Sequence, residues 1–147
     1  MRKLTLVLLA MAVVAICSPQ ISSFYESDLD DWITYSVDDD GSLYRYKGGG
    51  EFDSIGTVPG GGPFDVSAFY DWEMDGWIVY TINGAGELYL LWEGSFDHGD
   101  TVPGSGPYSI SAFYDPVYDG WIVNAMNNAG EFYLYWEGSF DLKGTLP

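Results

Sequence analysis

Residues 86–97, GELYLLWEGSFD, return 44 positions later as residues 130–141, GEFYLYWEGSFD, with two changes. Upstream of this stretch, DGWIV at 75–79 returns at 119–123 with the same offset. A more divergent first copy has DWI at 31–33 and GSLY at 41–44, and it carries one extra residue within the three glycines 48–50. A period of roughly 40–50 residues that contains several short strands is typical of β-propeller blades. The repeat therefore decides the fold class.

Four strand-like runs occupy the second copy, at residues 65–70, 77–82, 87–92 and 95–102. β-Branched and aromatic residues dominate the two middle runs, which show no helical period. The dipeptide Asn83-Gly84 lies between these runs and predicts a hairpin turn in which both residues adopt positive φ. Both faces of the middle runs are apolar, so we expect each sheet to be covered on both sides.

These features predict an all-β domain over residues 18–147, a β-propeller of three four-stranded blades. Blade 1 spans about 21–62, blade 2 about 63–106 and blade 3 about 107–147. A β-trefoil is the main alternative, because it also contains three units of this size, and a three-sheet prism is a further one.

Propellers usually have four to eight blades, so an arc of three leaves two blade faces bare. If each bare face carries about five large apolar side chains at ~2 kcal/mol apiece, exposure costs roughly 10 kcal/mol per face. We therefore expect a homodimer in which blade 3 of each chain meets blade 1 of the other and completes a six-bladed ring. A longer array of blades is the alternative.

Residues 1–17 have the pattern of a secretory signal peptide, with a basic start and a short apolar run. The location expected is secreted or extracytoplasmic, and lipid attachment at Cys17 is a second possibility. Without this segment, three basic residues face 22 acidic ones, a net charge of −19. Such a charge argues against nucleic acid and anionic membrane surfaces as partners. No other apolar run is long enough to span a membrane.

The third copy resembles the blade of the bacterial and fungal fucose-binding β-propeller lectins. The motif that carries the resemblance is Gly-x-apolar-Tyr-x-x-Trp-x-Gly, and it begins at Gly130 and at Gly86. The resemblance implies a six- or seven-bladed ring, in some relatives assembled from several short chains, with sugars bound between blades. It also implies an arginine, a carboxylate and an aromatic ring at each sugar. Copies two and three contain no arginine, and Arg45 is the only one outside the signal peptide.

These observations predict a carbohydrate-binding, lectin-like protein that carries out no reaction and needs no cofactor or metal. Aromatic rings would cover the apolar face of a sugar, and carboxylates would bind its hydroxyls. Copy one has Lys47-Gly48 where the others have Trp-Glu, so we expect its pocket to be lost and two pockets per chain to remain. Multivalency would then raise a weak single-site affinity. The same rings could equally serve blade packing. The candidate ligand-binding residues are Trp77, Tyr89, Trp92, Glu93, Trp121, Tyr133, Trp136 and Glu137.

Other functions have less support in the sequence. The acidic turn at 38–40 lacks the closing carboxylate of a calcium loop, and we interpret it as a hairpin turn. His98 is the only histidine, and repeated carboxylates are equivalent whereas acid–base catalysis needs them to differ. A structural or adhesion module that binds a protein partner is the first alternative, and a glycan-processing enzyme is the second.

Overall fold

A computed structural model describes residues 19–26 and 30–147, and in these residues the chain forms twelve strands and no helix. The predicted signal peptide and Cys17 lie outside the described residues. Blade 1 contains β1 (Gln20–Glu26), β2 (Asp31–Val37), β3 (Ser42–Tyr46) and β4 (Phe52–Thr57). Blade 2 contains β5 (Asp65–Asp71), β6 (Gly76–Ile82), β7 (Glu87–Trp92) and β8 (Ser95–Thr101). Blade 3 contains β9 (Ser109–Asp115), β10 (Gly120–Met126), β11 (Glu131–Trp136) and β12 (Ser139–Thr145).

Each blade is a separate antiparallel sheet in which the four strands follow chain order. The first strands meet at the centre, where β1 contacts β5 and β5 contacts β9. Every blade has one register shift between its third and fourth strands, at the same repeat position. The structure confirms the all-β fold of three propeller blades, and the three separate sheets contradict the β-trefoil alternative.

Two apolar layers hold the blades together, one between blades 1 and 2 and one between blades 2 and 3. Blade 2 lies between both layers, so residues 78–82 of β6 are all buried. The equivalent strands β2 and β10 each alternate between buried and more exposed positions along part of their length. The prediction of sheets covered on both faces therefore holds for blade 2, whereas blades 1 and 3 each keep one open face.

The hairpin between β6 and β7 forms where Asn83-Gly84 predicted it, but its backbone differs from the prediction. Neither residue has positive φ; Gly86 does, at 85°. The Asn83 side-chain oxygen instead accepts the amides of Ala85 at 3.0 Å and Glu87 at 3.1 Å. Gly84 is required for space, since a Cβ there would lie 2.3 Å from a backbone oxygen of the preceding loop.

The pair of positive-φ residues occurs one hairpin later, between β7 and β8. Glu93 has φ 48° and Gly94 has φ 82°, and Glu137 and Gly138 repeat this with 50° and 87°. Two successive positive φ values give the two-residue turn whose twist matches the flanking strands. The turn therefore points a glutamate outward at the tip of each hairpin.

The acidic turn of blade 1 is a hairpin turn, as the sequence indicated. One carboxylate oxygen of Asp38 accepts the amides of Asp40 at 3.0 Å and Ser42 at 2.8 Å. This carboxylate has the same role as the Asn83 amide in blade 2. Among residues 19–26 and 30–147, no helix could serve as a membrane span.

Candidate functional site

A cleft of about 330 Å³ lies where blade 1 packs against blade 2. Strands β2, β3 and β4 supply one wall, and β6, β7 and the hairpin tip after β7 supply the other. Its volume is within the range of small-molecule sites. Because its walls come from two repeats, no single copy of the repeat contains the site. The lining residues are Tyr35, Arg45, Ser54, Ile55, Trp77, Val79, Leu91, Glu93 and Gly94.

Arg45 lies on β3 and brings a positive charge into this cleft. Its guanidinium carbon is 4.8 Å from the ring centroid of Trp77, a cation–π distance. On the other side it forms an ion pair with Asp53 at 3.0 Å, and its side chain is 21% exposed. Its Nε atom is buried and donates to no acceptor among the described residues. The arginine is therefore held in place while part of its donor capacity is unused.

Two neighbours of Arg45 show its electrostatic effect. Hydrogen bonds from Arg45, and then from Lys47, hold the pKa of the Asp53 carboxyl below its ordinary value. Burial raises the pKa of the Tyr35 hydroxyl, and the charge of Arg45 partly opposes this rise. The cleft thus has a fixed cation at its blade 1 wall and a protonated phenol beside it.

Trp77 is the aromatic surface of the cleft. It lies near the start of β6, directly after the turn in which Asp75 has φ 50°. Its indole Nε1 donates to Glu26 of blade 1 at 3.3 Å, which fixes the ring across the blade boundary. The ring is half-buried, so one region packs while another faces the cleft.

Glu93 provides a carboxylate at the rim. It is exposed at the tip of the hairpin between β7 and β8, where it lines the same cleft as Arg45 and Trp77. The positive φ of Glu93 is unusual for a non-glycine residue. This backbone directs the carboxylate toward blade 1, whereas the preceding residue points toward blade 3.

The cleft can bind a small polar molecule that has one apolar face. Trp77 offers a ring for C–H groups, Arg45 offers N–H donors and Glu93 offers acceptor oxygens. This combination suits a hydroxylated ring such as a sugar. Among the described residues that line the cleft, Glu93 is the one carboxylate.

Trp92 and Trp121, two of the sequence-predicted residues, lie together between blades 2 and 3. Their ring centroids are 6.1 Å apart, and both pack against the second apolar layer. The indole of Trp121 also donates to the Asp71 carboxylate. Trp92 and Glu93 therefore do not share a pocket, since Trp92 packs against blade 3 and Glu93 lines the cleft toward blade 1.

Tyr89 and Tyr133 lie away from the cleft wall. Each is buried, and their hydroxyls donate to Glu87 at 3.1 Å and Glu131 at 3.0 Å. These hydrogen bonds connect each tyrosine to the asparagine of its hairpin turn, because Asn83 also donates to Glu87, at 2.6 Å. The structure places both tyrosines in the apolar layers rather than at the cleft.

Trp136 and Glu137 lie at the end of β11 in blade 3. The ring of Trp136 contacts Tyr118 at a centroid distance of 5.5 Å. Glu137 is exposed and occupies the same turn position as Glu93. Of the eight predicted ligand-binding residues, only Trp77 and Glu93 lie together in the cleft.

Arg45 was not among the ligand-binding residues predicted from the sequence, because one pocket was counted per repeat and that of the first copy was expected to be lost. The expected loss of a pocket at Lys47-Gly48 of copy one stays a prediction; copy one does form the Arg45 wall of the cleft that it shares with copy two. Two signals were available: the single arginine outside the signal peptide, and the arginine, carboxylate and aromatic set that the resemblance implied. To combine these two signals, one must know that β3 of one copy faces β6 of the next across the blade boundary.

Comparison with known proteins supports the fold. No known family model matches the chain, and no curated protein sequence does either. Among solved structures, it is similar to a triple arginine-to-alanine mutant of AofleA from Arthrobotrys oligospora, with a TM-score of 0.52 and 14% sequence identity. The match covers 87% of this chain and 42% of that chain. This chain thus spans less than half the length of its structural neighbour.

Proposed function

We propose that this protein is an exported lectin that binds a sugar in the cleft between blades 1 and 2 without chemical turnover. Trp77 supports the apolar face of the sugar, while Arg45 donates to its hydroxyls and Glu93 accepts from them. The observation that carries the proposal is the convergence of these three side chains, from two repeats, in one cleft of about 330 Å³.

The structural neighbour gives independent support at a coarser level. AofleA is a lectin. The set of arginine, carboxylate and aromatic ring is also the one that the resemblance to fucose-binding propellers implies. Fucose-bearing glycans are therefore the first class to test, with other neutral glycans as competitors.

A glycan array followed by titration calorimetry tests the proposal, with Glu93→Gln as the variant and Glu137→Gln as its matched control. Both glutamates are exposed and adopt the same positive-φ turn, so the substitutions disturb folding equally. We expect Glu93→Gln to weaken binding by about tenfold, because a hydrogen bond to a charged group contributes about 1.5–3 kcal/mol. We expect Glu137→Gln to bind like the unmodified protein, at one sugar per chain.

Three results would contradict the proposal. Absence of binding to any glycan would favour the structural or adhesion alternative. Equal loss in both variants would place the site elsewhere. Release of a hydrolysed or transferred sugar would favour the glycan-processing alternative.

A further inference from the structure

Each blade boundary within the chain contains the same hydrogen bond between a tryptophan and a carboxylate. The Trp77 indole donates to Glu26 of blade 1 at 3.3 Å, and the Trp121 indole donates to Asp71 of blade 2. In the repeat, Glu26 and Asp71 occupy one position, at the end of the first strand. Trp77 and Trp121 occupy another, near the start of the second strand.

The two outer blades carry the unmatched halves of this hydrogen bond. Asp115 of blade 3 is equivalent to Asp71, and its Oδ1 accepts the amides of Val117 at 2.8 Å and Tyr118 at 3.3 Å. Its Oδ2 has no partner within the described part of the chain, whereas the Oδ2 of Asp71 accepts an indole. Trp32 of blade 1 is equivalent to Trp77, and it is 57% exposed. One end of the arc thus offers an acceptor and the other a donor.

A second hydrogen bond between blades repeats along the first strands of the blades, β1, β5 and β9. The Ser22 hydroxyl accepts the amide of Ala68 at 2.9 Å, and the Ser67 hydroxyl accepts the amide of Ala112 at 2.8 Å. Ser111 is the next member of this series; it is exposed and lines the groove on the open face of blade 3. Its hydroxyl oxygen occupies the repeat position at which Ser22 and Ser67 accept an amide from the following blade.

The apolar surfaces of the two end faces also correspond to the halves of an internal boundary. Blade 3 has an apolar groove of about 240 Å³, lined in part by Ile110, Met126 and Phe132. On blade 1, Ile21 is 67% exposed and Phe52 is 62% exposed. The residues equivalent to these two in blade 2, Val66 and Phe96, pack in the layer against blade 1.

We propose that the open face of blade 3 docks on the open face of blade 1 of a second copy, and that two such contacts close a ring. Asp115 of each copy then accepts the indole N–H of Trp32 from the other. A second copy fits better than an unrelated protein because the donors, acceptors and apolar groups that remain exposed are those that already pair inside the chain. A head-to-tail contact of this kind gives a closed ring when the rotation from one copy to the next completes a full circle, and open polymers when it does not.

Two properties bear on this ring. The solved structure that resembles the chain is more than twice as long as the matched part, so this fold also occurs in a longer chain. The net charge of −19 that remains without the signal peptide, 3 basic against 22 acidic residues, makes two copies repel each other. Salt screens such repulsion, so we expect the dimer to tighten as ionic strength rises.

Sedimentation equilibrium and light scattering test the inference, which is independent of the proposed sugar site. We expect the mass of two chains. Trp32→Glu and Phe132→Glu, on opposite end faces, should each give a folded monomer by circular dichroism. Leu142→Glu, a control on the outermost strand where the side chain is already 55% exposed, should remain dimeric.

A finer pair of variants isolates the tryptophan bond. Trp32→Phe should weaken the dimer at least tenfold, whereas Trp121→Phe, which removes the equivalent bond inside the chain, should lower thermal stability and leave the dimer intact. A folded monomer of the unmodified protein, an open polymer, or a dimer broken by Phe132→Glu but not by Trp32→Glu would overturn the proposal. The last result would mean that two blade 3 faces pair with each other.

Discussion

Equivalent strands form the boundary between blades 1 and 2 and the boundary between blades 2 and 3, but the side chains between these strands differ. At the first, Arg45 of β3 faces an open cleft, and Lys47, just after this strand, also pairs with the carboxylate of Asp53. At the second, the equivalent positions on β7 are Leu90 and Trp92, which pack in the apolar layer. Charged residues at these two positions therefore accompany the open cleft, and apolar residues accompany the packed boundary.

The difference follows from side-chain size and charge. The ring of Trp92 contacts Trp121 and occupies space between the blades. Lys47 instead extends to Asp53 at 3.1 Å, with 42% of its side chain exposed. Since the ammonium group stays at the surface, no ring at this position covers the part of Trp77 that faces the cleft, where Arg45 lies over it.

The largest expected effect is that of Trp92→Ala on stability. We expect it to lower the free energy of unfolding by about 3 kcal/mol, because it removes a large ring from an apolar layer. Lys47→Ala, at the equivalent position of blade 1, should cost less than about 1 kcal/mol, since it removes one partly exposed ion pair. Urea denaturation measures both. Equal costs would mean that the two boundaries are packed alike.

Arg45→Leu should have the next largest effect, on binding rather than folding. It gives the first boundary the residue that blade 2 has at Leu90, so the fold should tolerate it. Loss of the charged donors should weaken sugar binding by about tenfold to a hundredfold. Calorimetry with the best glycan from the array measures this, with Lys47→Leu as the control for general loss of positive charge. Unchanged affinity would remove Arg45 from the site.

The smallest effect distinguishes two equivalent tyrosines at alkaline pH. Burial raises the pKa of Tyr80 far above its ordinary value, and the nearby Tyr135 adds to the rise. Burial also raises the pKa of Tyr35, but Arg45 opposes it. Tyr35 should therefore ionise first, and Arg45→Leu should delay its ionisation. Ultraviolet difference spectra at 295 nm, with each tyrosine replaced by phenylalanine in turn, identify which one titrates.

The raised pKa values of these tyrosines also determine whether the protein becomes more or less stable as pH rises. A phenol with a raised pKa in the folded state favours folding fully below its ordinary pKa of about 10. This contribution is lost as pH rises through the folded values. Thermal denaturation midpoints should therefore be unaffected by these groups up to about pH 10 and fall above it. A midpoint that rises above pH 10 would contradict the assignment of these phenols as buried.

The strands were predictable because their signal is local. β7 begins and ends at the predicted residues 87 and 92, since β-branched and aromatic runs between turn residues specify it. The Asn83-Gly84 hairpin was placed correctly, but its φ values were not. The asparagine side chain satisfies the turn amides, and Gly84 is required by a neighbouring loop that is remote in sequence.

The candidate site was only partly predictable because it depends on how copies stack. Trp77 and Glu93 were named and sugars were expected between blades, but Arg45 of the facing blade was not included. Tyr89 was named for its ring, although its hydroxyl bonds to Glu87 within the same hairpin. Residue type could not show that Arg45 of one copy faces Trp77 of the next.

Since a cleft belongs to a junction and not to a repeat, gene rearrangement would change it in an unusual way. Duplicating blade 2 would add a Leu90 junction and no new arginine site. Moving blade 1 to a place before blade 3 would bring Arg45 opposite Trp121 and Glu137, a pairing that the present order never makes. The order of the repeats, rather than their number, thus determines which clefts this protein contains.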